Sequence, residues 1–331
     1  MQPSPLLHES TLASLQHTKN LLAFSGGGDS TALFFLLHVK GISFDIAHVN
    51  YQTRPQSQEE EAYAKELSLR FNKNLFTFTC KLKERNFEHH ARHVRYKFFE
   101  SLIHEHGYET LIMAHHLGDQ LEWFLMQLCK GAGLVEMIGM REWEKREAYT
   151  IVRPLLHVSK AHLKDFLEKE KIHFFEDESN ASFSHLRNTF RHRFATPLLE
   201  AYEAGIAKSF AYLDEDTQRL LPKRFQRIKE LFIIPLHDDD LINIRQIDKV
   251  LKISGMVISA KERQEILQTR NCVIGHKLAV VFAKNAIYIA PYLQIPLNKH
   301  EKEMYRKAKI PAKIRAYLAL EGIDINEVVL R

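Results

Sequence analysis

From residue 20 to about residue 160, short apolar runs of β type alternate with stretches whose apolar positions recur at helical spacing. Leu21–Phe24, Phe44–Val49, Leu75–Thr79 and Thr110–Ala114 read as strands, and Ser30–His38, Gln58–Phe71, Ala91–His106 and Gly118–Cys129 read as the helices between them. This alternation predicts an α/β fold, a parallel sheet wound with helices in the Rossmann-like manner, which binds ligands at the carboxyl ends of its strands. Another helix is expected from about Ser159 to Lys171, and a helical, basic segment from His185 through about Glu230. The last hundred residues change character. Val273–Ile274, Leu278–Ala283 and Ala286–Ile289 predict a small meander turning at Gly275 and Lys284-Asn285, with a basic helical tail from about Asn298. The expected division is a larger domain over residues 1–205, then a helical connection and a smaller α+β C-terminal domain over residues 206–331.

Composition adds limits. The 331 residues are 45% hydrophobic and 26% charged, which suits a globular chain long enough for more than one core. Lys and Arg number 46 against 41 Asp and Glu, and 19 histidines can take up further charge, so a polyanionic partner is permitted without being required. Cys80, Cys129 and Cys272 are scattered, which argues against a disulfide scaffold, a cysteine zinc site or a dithiol redox motif. The N-terminus shows no signal-peptide pattern and no apolar run is long enough to span a bilayer, so a cytoplasmic location without membrane attachment is expected.

The chemistry concentrates where strands end. After Leu21–Phe24 the chain breaks into Ser25-Gly26-Gly27-Gly28-Asp29-Ser30, and the helical pattern resumes at Leu33, Phe34 and Leu37. Glycines there allow a close backbone approach, and the amides opening the next helix point at an anion, so the segment reads as a phosphate loop. A plain strand-to-helix turn would leave the same trace. The loop has neither the Lys-Ser/Thr ending of a Walker A motif nor the spacing of a dinucleotide fingerprint, which removes weight from kinase, GTPase and dehydrogenase readings.

Four other clusters stand near it in the pattern. If the helix after the fourth strand includes His115, then His115, Asp119 and Glu122 share one face, able to hold Mg²⁺ and steady a triphosphate, or simply to form a polar helix face. Arg92 and Arg95 lie on one helical stripe, suited to ATP oxygens, to a nucleic-acid backbone, or to solvent. His48-Val49-Asn50-Tyr51, with Arg54, offers a guanidinium and a stackable ring at the same rim. Asp177, Ser179, Asn180, Arg187, Asn188, Arg191 and Arg193 mix acceptors with guanidinium groups, a blend that reads a zwitterion, positions an RNA backbone, or caps a turn before a basic helix.

Taken in order, these residues resemble the PP-loop ATP pyrophosphatase superfamily, whose S-G-G-x-D-S loop is matched by Ser25, Gly26, Gly27, Asp29 and Ser30. Within it the chain is similar to the tRNA(Ile)-lysidine synthase family over roughly residues 20–195. The match rests on the loop, His48-Val49-Asn50 with Arg54, Arg92 with Arg95-Tyr96, Ala114-His115-His116 with Asp119 and Glu122, Gly131–Met140, Arg153-Pro154-Leu155-Leu156, Asp177 with Asn180, and Arg187-Asn188 with Arg191. One departure stands out: Gly118 replaces the first of two aspartates usual after the histidine pair, and Trp123 replaces a common threonine.

The resemblance implies a ligase that uses ATP to adenylate the C2 carbonyl oxygen of the wobble cytidine in the CAU anticodon of tRNA(Ile), releases pyrophosphate, and lets the ε-amine of L-lysine displace AMP at C2. It implies ATP binding by Ser25, Gly26, Gly27, Gly28, Asp29, Ser30 and Asn50, and Mg²⁺ held by Asp29 and Asp119. Catalytic roles fall to Asp29, Arg92, His115 and Asp119, and substrate contacts to Arg54, Arg95, Glu122, Asp177, Asn180, Arg187, Asn188 and Arg191. The C-terminal domain would bind tRNA. A PP-loop tRNA thiolase is the close rival, but such enzymes depend on cysteines and no two stand close in this sequence. A non-catalytic adenylate- or tRNA-binding protein is the rival from another class.

Overall fold

Leu21 and Ala23 point to one side of the first strand and Leu22 and Phe24 to the other, so a single strand feeds two cores. A computed structural model describes residues 6–53, 56–81, 87–176, 186–220 and 225–328. It divides into two compact units, Met1–Asp214 and Glu215–Arg331. Among the described residues no helix is long and apolar enough to cross a membrane.

In the first unit, β1 (Asn20–Phe24), β2 (Asp45–Asn50), β3 (Leu75–Thr79), β4 (Thr110–Ile112), β5 (Trp143–Lys145) and β6 (Thr150–Val152) form one sheet in the order β3-β2-β1-β4-β6-β5. All neighbours run parallel except the edge strand β5. The wound parallel sheet that the pattern predicts is therefore present. One face packs on α1 (Glu9–Leu15), α2 (Gly28–Val39), α3 (Gln56–Arg70) and α7 (Lys160–Lys169); the other packs on α4 (Phe87–His106). α5 (Leu117–Leu128) leaves the end of β4 and is followed by the short α6 (Leu134–Ile138).

Two expectations need correction. Residues 143–145 and 150–152 are strands, too short to show a pattern of their own. The stretch expected to be helical from His185 to Glu230 is α8 (Leu186–Phe190), a π-helical turn (Arg191–Ala195) and α9 (Thr196–Leu220), and it gives way to strand β7 (Gln226–Ile228). α9 itself bends where Tyr202 leaves helical geometry at φ −138°.

In the second unit β7, β8 (Leu231–Pro235), β9 (Asn271–Ile274), β10 (Leu278–Phe282) and β11 (Ala286–Pro291) make an antiparallel sheet in the order β7-β8-β11-β10-β9. Its strands alternate strictly. Phe232, Ile234, Val280, Ile287 and Ile289 face α10 (Asp240–Ile253) and α11 (Ala260–Thr269), whereas Leu231, Ile233, Ala279, Val281 and Tyr288 face α12 (Lys299–Lys307), α13 (Ala312–Glu321) and α14 (Ile325–Val328). The meander over β9–β11 is the part visible in sequence; β7, β8 and the two helices α10 and α11 complete it.

Phe34 of α2 is wholly buried, with ring centroids of Phe24, Phe35, Phe44 and Phe71 at 6.0, 5.3, 5.2 and 5.4 Å. Phe34→Ala is expected to cost about 3–5 kcal/mol, read as a fall in the urea midpoint of the first unit.

Candidate active site at the carboxyl end of the sheet

The connections from β1 run outward through β2 to β3, and those from β4 run the other way to β6 and β5, so a crevice opens between the ends of β1 and β4. The glycine loop occupies one wall. Gly27 caps α2, whose first amides, at Gly28, Asp29 and Ser30, have no carbonyl one turn back and face outward as an anion cradle. Gly26 sits at φ +87°, and a Cβ there would lie 3.1 Å from Cβ of Glu60. A Cβ at Gly28 would meet the Phe174 ring at 3.2 Å, while one at Gly27 would meet nothing closer than 3.5 Å. Two of the three glycines thus admit protein packed from behind.

The loop is further pinned from within. The Ser30 hydroxyl donates to the Gly27 carbonyl at 3.0 Å and accepts from the Ser25 amide at 3.2 Å; it is buried. The Phe175 amide donates to the Gly26 carbonyl at 3.2 Å, and Gly27 pairs with Phe175 as an isolated parallel bridge. Ser30 is therefore scaffold for the loop, and Asp29 is the side chain it presents.

Across the crevice, β4 ends at Ile112, His115-His116 follow it, and α5 begins at Leu117. His115 lies ahead of the helix, so the single helical face of His115, Asp119 and Glu122 is not formed. His116 is the cap instead. Its Nδ1 accepts from the Gly118 amide at 3.0 Å, and its own amide donates to Oδ2 of Asp119 at 3.1 Å. With Nδ1 accepting, Nε2 faces two carboxylates, 3.7 Å from Oδ2 of Asp29 and 3.7 Å from Oδ2 of Asp119. Gly118 makes room for this: a Cβ there would meet the imidazole at 2.8 Å.

Two arginines of the segment from Leu186 onward hold Asp119 and Glu122.

 Arg187 of α8 reaches Oδ1 of Asp119 at 2.7 Å and Oε2 of Glu122 at 2.9 Å; Arg191, one turn on, reaches Oε2 of Glu122 at 3.1 Å. Glu122 is all but fully buried, so it anchors the two guanidinium groups rather than facing the crevice. Burial opposes the charge on Asp119, but His116, His115, Arg187 and the His116 amide outweigh it and hold the carboxyl well below the usual carboxylate range.

His115 has a different neighbour. Arg153, buried at the end of β6, donates from Nε to Nδ1 of His115 at 3.3 Å. Burial pushes the His115 imidazole down to about 3; Asp119 works against that fall, and Arg153, Arg95 and Arg187 add to it. Arg95 has a buried Nε with no hydrogen-bond partner among the described residues. Arg92 is exposed and lies over the Tyr96 ring at 4.8 Å.

The structure thus brings together the glycine loop, Asp29, His115, Asp119, Glu122, Arg187 and Arg191. Asn50 is buried at the end of β2, where it donates to Glu61 at 2.6 Å and accepts from the Gln52 amide at 2.8 Å; its side chain shapes the turn. Asn188 is buried in α8. Arg54, Asp177 and Asn180 lie outside the described residues. Sequence reasoning missed His116 and Arg153 as members of the site, although both stood inside quoted motifs. Among the described residues no group of three His, Cys, Asp or Glu side chains is placed to hold a metal ion, and His116 Nε2 stands between the carboxylates of Asp29 and Asp119.

A glycine loop that opens a helix at the switch point of a parallel sheet is the layout of a PP-loop nucleotide-binding domain, and the PP-loop domain family matches residues 6–198. The chain is 46% identical over 313 residues to the tRNA(Ile)-lysidine synthase of Wolinella succinogenes, covering 94% of this chain and 95% of that protein. It is 43% identical over 326 residues to the enzyme of that name from Campylobacter jejuni, at 97% and 99% coverage, and 41% identical over 313 residues to that of Helicobacter pylori, at 94% and 92%. This chain belongs to the tRNA(Ile)-lysidine synthase family. Among solved structures, the U34-tRNA thiolase NcsA of Methanococcus maripaludis with its 4Fe-4S cluster shares the fold, with a TM-score of 0.50 at 16% identity over 63% of this chain and 75% of that one.

The neutral burial of His115 has a signed consequence for stability. An imidazole at about 3 when folded and 6.5 when unfolded is protonated first in the unfolded chain, so stability falls as pH drops below 6.5 and goes on falling toward 3. His115→Gln is expected to flatten this part of the profile. Urea midpoints of the two proteins at several pH values between about 7 and 4.5 check it, and parallel profiles would contradict the assignment.

Proposed function

We propose that this chain ligates L-lysine to C2 of the wobble cytidine in the CAU anticodon of tRNA(Ile), through an adenylated tRNA and with release of pyrophosphate and AMP. Near-full-length similarity to enzymes of that name carries the reading. The anion cradle at the start of α2, facing the His116–Asp119 corner across the crevice, supports it chemically.

A pyrimidine carbonyl is a poor electrophile. Attack of its oxygen on the α-phosphorus of ATP expels pyrophosphate and turns that oxygen into a leaving group; the lysine amine then adds at C2 and AMP departs, so one hard substitution becomes two easier ones. The Gly28, Asp29 and Ser30 amides receive the phosphates. Arg95, with its unpartnered Nε, and Arg92 neutralise phosphate charge from ATP or the RNA backbone. Asp119 is kept ionised beside Arg187 and His116 and orients the crevice toward the reacting groups. Arg54, Asp177, Asn180, Arg187, Asn188 and Arg191 are assigned to the lysine and the flipped base, with Glu122 holding the last two guanidinium-bearing positions in place.

The donor set fits Mg²⁺ brought in with a triphosphate, since that ion takes one or two carboxylates and completes its shell with phosphate oxygens and water. Asp29 would hold it, with Asp119 as the second carboxylate. When bound it would stabilise charge on the departing pyrophosphate. We place the reaction in the cytoplasm, in keeping with the unpaired thiols of Cys80, Cys129 and Cys272.

The larger domain over residues 1–205 carries this chemistry, and the C-terminal region over residues 206–331 adds tRNA contacts. In that region Lys299, Lys302, Arg306 and Arg315 line a cavity of about 490 Å³ between α12 and α13. Tyr305, Ile314 and Tyr317 of the same helices are buried core, so charge reversal tests the cavity better than truncation.

Asp29→Ala is expected to abolish ATP- and tRNA-dependent pyrophosphate release while leaving tRNA binding within about twofold of the wild type. Mass analysis of tRNA nucleosides after incubation with ATP and lysine reads the product directly; its absence with active, folded protein would overturn the assignment. Lys299→Glu with Lys302→Glu should weaken tRNA binding and reduce the slope of log affinity against log salt by about 2, and an unchanged slope would remove the C-terminal cavity from the interface.

A further inference from the structure

Arg153 stands 38 positions from His115 in the chain but beside it in space, because β6 pairs in parallel with β4 and both segments leave the sheet at its carboxyl edge. Its guanidinium is buried and donates from all three nitrogens. Nη1 donates to the Arg141 carbonyl at 2.8 Å, Nη2 to Oε2 of Glu144 at 2.8 Å, and Nε to Nδ1 of His115 at 3.3 Å. A guanidinium has donors and no acceptor, and it keeps its proton at any pH a protein survives. The His115 nitrogen that faces it must therefore present a lone pair. That fixes the ring as neutral, with its hydrogen on Nε2. No described residue accepts from that Nε2.

We propose that Arg153 is a positioning residue for the adenylation step: it locks His115 as a neutral hydrogen-bond donor whose Nε2–H is directed at an oxygen of the reacting substrates. The inference rests on the function proposed above. A donor of this kind stabilises negative charge as it develops on oxygen without giving up its proton, so it asks for no change of protonation during turnover. Asp119, Arg95 and Arg187 are the other charged groups acting on the ring. Glu144 in turn fixes the guanidinium, so strand β5 supports a side chain at the reaction centre through two intermediaries.

Two measurements test this separately from the overall reaction. The first is long-range ¹H–¹⁵N NMR of the wild-type protein, with His115→Gln used to assign the ring. Nδ1 is expected in the unprotonated position and Nε2 in the protonated one, without titration between about pH 5 and pH 8; a protonated Nδ1 would overturn the proposal whether or not any variant folds. The second is pyrophosphate release with ATP and tRNA(Ile). Arg153→Met should lower kcat by about 10- to 100-fold with KM for ATP within about twofold, and Arg153→Lys, which can still donate to Nδ1, should recover part of the loss. His115→Gln, which keeps an N–H donor, should retain more turnover than His115→Ala, and should add little further loss in the Arg153→Met background. A folded Arg153→Met protein with wild-type kcat would overturn the proposal, whereas loss of all pyrophosphate release in the wild type would instead overturn the underlying function.

Discussion

The carboxylates of Asp119 and Glu122 sit on the first turns of α5 with little access to water, and the site depends on their being matched by Arg187 and Arg191. A buried charge left without its partner costs about 3–5 kcal/mol, so neither side of this network can be removed alone. The pairing also fixes geometry. Arg187 and Arg191 lie four residues apart, where α8 passes into a π-helical turn, and both are drawn onto the same carboxylate. Leu117, Leu121, Ala195 and Phe210 form the apolar layer next to it, so packing and charge place α5 against the following helices in one register. His116, held at the N-terminus of α5, is aimed at Asp29 because that helix cannot shift.

How much of this was legible in sequence follows from the range over which each signal acts. β1–β4 were readable because alternate residues serve opposite cores, a pattern local to each strand. β4 is as short as β5 and β6, but its apolar run continues through Met113 and Ala114, whereas β5 is Trp-Glu-Lys and β6 is cut off by Arg153-Pro154. In the second unit the helical expectation to about Glu230 covers β7, whose three residues Gln226–Ile228 follow a charged helical stretch and precede β8 by only a two-residue turn. A π-helical turn adds a residue to the helical repeat without any compositional mark, so the turn at Arg191–Ala195 leaves no trace in the sequence pattern.

The same distinction applies to the candidate site. The glycine loop declares itself through residue types within a few positions, and Asp29 came with it. His115 and His116 differ only in which of them starts the helix, and one residue of error exchanges a cap facing two carboxylates for a ring facing an arginine. Arg153 could be joined to His115 only by knowing that β4 and β6 are neighbours. Asn50, which the resemblance places at ATP, also donates to Glu61 and accepts from the Gln52 amide, partners that only the folded turn brings to it.

The isolated parallel bridge between Gly27 and Phe175 ties the phosphate loop to a remote stretch of the chain. Its residues are contiguous, yet its shape depends in part on a partner 148 positions further along, beyond β4, β6 and α7 in sequence. Closing so long a loop carries an entropic cost that local glycine chemistry does not offset. The local hydrogen bonds among Ser25, Gly27 and Ser30 shape the loop from within, and the contact with Phe175 makes its final form a property of the assembled domain.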